Sequence, residues 1–355
     1  MVRMLSFLED VGIVKTARRE AESLLLAKAI IRNEPIHPLN KERFLKLVKS
    51  NKVILRAAPL LDMPDGMLNE AKTDFSEAMQ LYDLMSQEFN REGIGFVVIK
   101  SFDSLPDLGH DLDFLLPQPK EFQRARSLLL SKFKVKPQPL THCDKLVGKF
   151  SCYLPGFKHD FELYPTISQL GEEHVEPITI LKDRTTEEIE GRNVLVTSDL
   201  DRVLIRVIHA MFRHNFLKLS DIVDFETLTT KCSTQQILDA VDRADVGDAF
   251  VFFVGTIDRF LKACSAESPR MTELKKAGEA RFGQDRLSVL RRDRLVLPYR
   301  IPTMAIIMIY LLKGVREASR GRWRSSLMCI VTPPLLFLDF INSVSKQRLL
   351  GRRVW

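Results

Sequence analysis

Cysteine is scarce and unpatterned in this chain. Its five residues, Cys143, Cys152, Cys232, Cys264 and Cys329, show neither a CxxC pair nor Cys/His metal spacing. That excludes a disulfide framework and a zinc site, and it suits a reducing cytoplasm. Long apolar runs are missing too. Ile301 to Leu312 is nearly uncharged but contains Pro302, and it is shorter than the roughly 20 apolar residues a bilayer-spanning helix needs. Leu327 to Val344 is longer, yet Pro333-Pro334 interrupts it and Asp339 charges it. A spanning helix is not expected, while an interfacial one stays open. The first residues include Arg3, Glu9 and Asp10 and no apolar core ending in a small-residue cleavage site, so no secretory signal is expected. Internal repeats and low-complexity segments are also lacking.

At 355 residues the chain is about two to three times a typical domain length, long enough for several subdomains and a sizeable core. The net charge of +7 is unevenly placed: 15 Lys/Arg stand against 4 Asp/Glu between Arg281 and Trp355, leaving the first 280 residues acidic on balance. Such asymmetry points to an anionic partner, nucleic acid or a lipid surface, with a solvated basic face as the plain alternative.

Apolar residues at three-to-four spacing predict helices over Ala17 to Ile31, Lys41 to Leu55 and Ala71 to Phe89, the last two separated by the PLLDMPDG stretch from Pro59 to Gly66. Strand signals follow. Gly93 and Gly95 lead into FVVIK, a loop with Pro106 and Gly109 leads to DLDFLL, and Pro117 and Pro119 stop it before a helix over Lys120 to Phe133. Phe150 to Leu154, Phe157 to Tyr164 and Arg192 to Val196 read as further strands. Ser198, with Asp201 three residues on, caps the first of a series of helices reaching about residue 290. The expected fold is α+β. An N-terminal helical region (1–92) precedes a small mixed-sheet module (93–197), a helical bundle (198–298) and a basic and apolar C-terminal segment (299–355).

Within VVIKSFDSLPDLGHDLDFLL, Val97 to Leu116, the two-residue strand period puts Asp111, Asp113 and Leu115 on one face and Leu112 and Phe114 on the other. Adjacent carboxylates disfavour each other's ionisation, and burying an unpaired one costs several kcal/mol. A divalent cation offsets both. Solvated carboxylates at a strand end are the structural alternative. In FKHDFELY, Asp160 and Glu162 again share one face.

The layout of strand, small residue and Asp-x-Asp strand resembles the DNA polymerase beta-type nucleotidyltransferase superfamily. More narrowly, IKSFDSLPDLGHDLDFLL is similar to the uncharacterised nucleotidyltransferases whose hallmark is an LKG turn followed by DIDLLV. That resemblance implies a nucleotidyltransferase module in the sheet, with Mg2+ or Mn2+ held by Asp111 and Asp113. It implies an NTP as substrate and transfer of its NMP to an acceptor hydroxyl with release of pyrophosphate. A third carboxylate, Glu162 by alignment with the family's strand and Asp160 next, would bind the metal and take the acceptor's proton. Lys100 and Ser101 would contact phosphate, although Ser101 stands where the family has glycine. The acceptor classes include an RNA or tRNA end, a protein hydroxyl, a sugar and a small molecule. Two alternatives are an inactive member of the fold that binds nucleotide or RNA, and a protein peripheral to an anionic membrane through 299–355. His209 is expected to be a packing residue, and Arg206, Arg213, His214 and Lys218 to line an acceptor cleft or a solvated face. The tail arginines are expected to face RNA rather than lipid, because Pro333-Pro334 and Asp339 spoil a continuous apolar face.

Overall fold

The computed structural model describes residues 2–38, 40–103, 105–109, 111–169 and 172–350. Four helices open the chain: α1 (Val2–Arg32), α2 (Lys41–Ser50), α3 (Ile54–Ala57) and α4 (Asp65–Arg91). The expected helix over Lys41 to Leu55 is thus two helices. The Asn51 N–H closes the last turn of α2, and Lys52 then takes a left-handed φ of 53°, which a continuing helix cannot accommodate.

The sheet module follows as β1 (Val97–Ile99), β2 (Asp111–Leu115), α5 (Pro119–Ser131), β3 (Lys136–Pro137), α6 (His142–Val147), β4 (Phe150–Tyr153), β5 (Asp160–Tyr164), β6 (Ile167–Gln169), β7 (Glu172–Val175), α7 (Pro177–Lys182), β8 (Thr185–Ile189) and β9 (Arg192–Val196). Seven strands form one mixed sheet in the order β3-β4-β5-β2-β1-β9-β8, and β6 pairs with β7 apart from it. β8 and β3 escape sequence reading for a physical reason. TTEEI is an edge strand with a mostly polar, exposed pattern, and β3 is only two residues long.

One face of the sheet is dry. Val98, Leu112, Phe114, Phe161 and Leu163 pack beneath Tyr82, Met85 and Phe89 of α4 and Phe122 and Leu129 of α5. Phe114 is the hub, with ring centroids 5.0 Å from Phe161, 5.1 Å from Phe96 and 5.7 Å from Phe89. The opposite face is apolar only in part: Val97, Ile99 and Leu115 meet Ile180, Leu181 and Ile205. The acidic residues of β2 and β5 lie beyond that patch on the same face.

After the sheet come α8 (Asp199–Ile208), a six-residue π-helix (His209–His214), β10 (Phe216–Leu217), α9 (Leu219–Thr230), α10 (Thr234–Arg243), α11 (Gly247–Ala263), α12 (Pro269–Phe282), β11 (Tyr299–Arg300), α13 (Thr303–Ser319) and α14 (Trp323–Leu350). Ser198 does cap α8, its Oγ accepting the Asp201 N–H. α1 to α3 share one core with α8 to α13, including Leu26, Phe44, Phe225, Phe253 and Ile309, whereas α4 belongs to the sheet.

The tail differs from expectation in two respects. α14 runs unbroken through Pro333 and Pro334. The carbonyls that Pro333 and Pro334 leave without their helical donors are those of Cys329, a buried residue, and Ile330, an exposed one that water can reach. Three of the arginines expected to face an anion are paired instead: Arg316 with Asp245 and Asp248, Arg320 with Asp245 and Glu317, and Arg322 with Glu317. Arg324 is exposed, and Arg348, Arg352 and Arg353 lie outside the residues whose side chains are described. Among the described residues no helix is long and apolar enough to cross a membrane.

Candidate active site

The register of the sheet assembles the acids. β2 pairs with β5 in parallel, Asp111 opposite Asp160 and Asp113 opposite Glu162. Equal parity on neighbouring strands sends all four carboxylates to one face. Asp111 is exposed, Asp160 half-buried, and Asp113 and Glu162 are buried. The outer pair therefore faces solvent and the inner pair does not.

The turn before β2 holds this arrangement. Lys100 adopts a φ of 64° and Ser101 N–H donates back to Ile99 O at 2.7 Å, a three-residue turn that ends β1. Left-handed backbone at a non-glycine costs on the order of 1 kcal/mol and persists where the surroundings over-determine it. Here they do. Ser101 Oγ accepts the Asp113 N–H at 2.8 Å and donates to Ile99 O at 3.3 Å. The Ser101 hydroxyl thus continues the strand pairing. Further along the loop, Asp103 meets Arg202 at 3.2 Å and Arg206 at 3.6 Å. Asp107 accepts the Leu55 and Arg56 N–H groups at 2.7 and 3.2 Å. Asp224 receives Arg56 at 2.6 Å and Arg206 at 3.1 Å, so the loop is clamped to both helical regions. Arg206, expected at an acceptor cleft, is a member of this buried clamp.

Two lysines enter the acidic face. Lys100 Nζ lies 3.2 Å from Asp113 Oδ2, and Lys149 Nζ lies 2.6 Å from Glu162 Oε1. Both ammoniums flank the Tyr164 ring, at 4.7 and 5.4 Å from its centroid, and Tyr164 Oη donates to Glu162 Oε2 at 2.7 Å. Lys149 is anchored from behind by Asp144 at 3.8 Å, which also pairs with Arg213.

These contacts shift the two inner carboxyls in opposite directions. Burial raises the Asp113 carboxyl well above the usual range, against the pull of Lys100 and with Glu162 and Asp111 adding to the rise. Burial acts the same way on Glu162, but Lys149 and Lys100 overcome it and hold that carboxyl well below its ordinary value. The two inner carboxyls interact, so their titrations belong to the pair.

Asp113 Oδ1 is a buried acceptor without a hydrogen-bond partner. A buried oxygen of this kind, on the face that also carries Asp111, Asp160 and Glu162, is the type of ligand a hard cation prefers. Among the described residues no three acidic, His or Cys side chains already converge at metal-ligand distances. Carboxylate oxygens are the donor type that magnesium and manganese prefer, and the Lys100 ammonium occupies that place on Asp113.

Lys149, Asp144 and Tyr164 are the site residues that sequence reasoning missed. Tyr164 had a signal, its parity with Asp160 and Glu162 on β5; Lys149, just before β4, and Asp144, on α6, had none. At the rim the π-helix presents His209 edge-on to His214, ring centroids 4.2 Å apart, and His214 stacks on Phe216 at 5.1 Å. Burial and the surrounding cations push the His209 imidazole well below its ordinary range, which keeps it neutral.

No family model matches the chain, and no curated protein matches it. Among solved structures it is similar to an antigenic nucleotidyltransferase-like protein from Paracoccidioides brasiliensis. The two are 14% identical with a TM-score of 0.34, over 54% of this chain and 94% of that one. At that TM-score the likeness leaves fold and function to be argued from this chain's own residues.

Proposed function

We propose that this chain is a metal-dependent nucleotidyltransferase that moves a nucleoside monophosphate from an NTP to an acceptor hydroxyl. The observation that carries the reading is the parallel pairing of Asp111-x-Asp113 with Asp160-x-Glu162, with the buried, unpartnered Asp113 Oδ1 at its centre. Asp111, Asp113 and Glu162 would hold Mg2+ or Mn2+. When bound, the ion neutralises charge on the α-phosphate and lowers the pKa of a coordinated hydroxyl.

The chain's own residues divide the remaining work. Glu162, fixed by Lys149, Tyr164 and Ser151, is a charge that stays ionised and in place. Asp160 is nearer solvent and bonded to Gln138 at 2.7 Å. Burial foremost, with Asp111 and Glu162 adding, raises its carboxyl, making it the better base. Asp160 is therefore placed to take the acceptor's proton, the role that family alignment gives to Glu162. The acceptor oxygen bonds to the α-phosphorus, the bridge between α- and β-phosphate breaks, and pyrophosphate leaves. Lys100, once off Asp113, balances charge on the departing phosphates.

A second reading rests on the same ammoniums. Lys100 and Lys149 already neutralise the inner carboxylates, as a nucleotide- or RNA-binding module without transfer would need. Incubation with each labelled NTP and magnesium, with and without total RNA, separates the two. Labelled product dependent on Asp113 supports transfer and identifies RNA or another acceptor class. Retention of nucleotide with no product under any condition supports the binding module.

A further inference from the structure

The rim of the acidic site contains a cluster of cations that neither the acids nor the clamp uses. Asn51 is fully buried. Its Oδ1 accepts the Leu219 N–H at 3.0 Å and its carbonyl accepts the Ser220 N–H at 3.4 Å. Leu219 and Ser220 begin α9, so this one residue locks the turn after α2 to the first turn of a helix far along the chain. The residues next to the lock are Lys52 and Lys218.

Both ammoniums consequently arrive on the Asp111 side of the sheet. Lys52 Nζ lies 3.0 Å from the point where a Cβ on Gly109 would stand, and the Asp111 backbone N is 3.8 Å from that same point. A side chain at that position would push the ammonium aside by a few tenths of an ångström. Lys218 Nζ sits 5.2 Å over the Phe216 ring, which stacks on His214. Asp221, the acid next to Lys218 in the chain, is occupied by Arg206 at 2.9 Å and by the Lys218 backbone N–H at 2.8 Å. Among the described residues neither ammonium has a carboxylate within ion-pair distance. Like charges held together by a buried lock, beside a histidine pair, call for an anion.

The β1–β2 turn does not supply that anion's site. Its Ser101 N–H closes the turn on Ile99 and its hydroxyl serves the strand pairing, whereas a glycine turn would offer free backbone N–H groups to phosphate. We propose that Lys52 and Lys218 form a condensed-phosphate subsite. It grips the end of the substrate triphosphate from the two helical regions instead of from the turn. This rests on the nucleotidyltransferase reading for its substrate, but the site itself is defined by phosphate binding alone.

The test uses inorganic tripolyphosphate, titrated calorimetrically into the full chain in low salt with chelator present. Wild type binds. Lys52→Met and Lys218→Met each weaken binding about tenfold or more, the scale of one lost charge-assisted contact. Lys52→Arg and Lys218→Arg keep most of it, and so does Arg124→Met on α5, across the sheet. Thermal midpoints taken in parallel verify that each variant is folded. The subsite is overturned if wild type does not bind, or if the Met variants bind like wild type. Lysine-dependent binding with no labelled product from any NTP leaves the subsite standing and removes the transfer reading. Product formation with binding unchanged in the Met variants does the reverse.

Discussion

Lys149 and Glu162 form a buried ion pair 2.6 Å long on the polar face of the sheet, each under a tenth exposed. Removing one partner of such a pair strands the other charge, at a cost of about 3–5 kcal/mol. Lys149→Met is therefore expected to lose about that much stability in denaturant unfolding, and adding Glu162→Gln to it should recover most of the loss. A Lys149→Met protein as stable as wild type would show that the pair does not hold the site.

Asp160 and Glu162 have separable tasks. Asp160→Asn should lower kcat by about 10²- to 10⁴-fold, the usual worth of a general base, while KM for the NTP stays near wild type. Glu162→Gln should weaken divalent-ion binding as well as turnover. Steady-state kinetics beside a manganese titration checks both. The opposite pattern assigns proton transfer to Glu162.

Asp107 gives a pH signature. Burial, opposed by the Leu55 and Arg56 N–H groups and the Arg56 charge, pushes its carboxyl up to about 6 from an ordinary 3.8. The folded chain then holds a proton there that the unfolded chain has released, so this group's contribution to stability is full below pH 4 and lost as pH rises through 6. Asp107→Asn removes the titration. The stability of the variant relative to wild type should rise between pH 4 and 6 and then level off. A difference that stays flat across that window contradicts the assignment.

Asp224 joins Arg56 to Arg206 across the two helical regions. Asp224→Asn leaves two buried guanidiniums short of charge, and a destabilisation of about 3–5 kcal/mol is expected. Amide hydrogen exchange in the β1–β2 loop, which this clamp secures, should quicken. Unchanged exchange there would separate the clamp from the loop.

Much of the site was legible because strand parity is local. DLDFL alone states that Asp111 and Asp113 share a face, and HDFEL states the same of Asp160 and Glu162. What stayed hidden was set by register and tertiary packing. That β2 and β5 run side by side follows from the sheet order, and only that order brings the two acid pairs together. Lys149 precedes β4 after a left-handed Gly148, and no periodicity in VGKFSCY announces an ammonium bonded to Glu162. Lys52 and Lys218 come to the same rim because Asn51 ties the turn after α2 to Leu219. The unbroken α14 departs from expectation for the opposite reason: Pro333-Pro334 is a strong local stop signal, yet the helix continues through both prolines, and of the two carbonyls left without donors only that of Ile330 lies at an exposed position.

The most direct test of the carboxylate site is manganese binding measured by electron paramagnetic resonance, with ATP present, on wild type and Asp113→Asn. Asn keeps the volume and removes the buried oxygen pair's charge. The account predicts that wild type immobilises the ion and that Asp113→Asn loses this while keeping its thermal midpoint. Equal manganese binding by both proteins would contradict it.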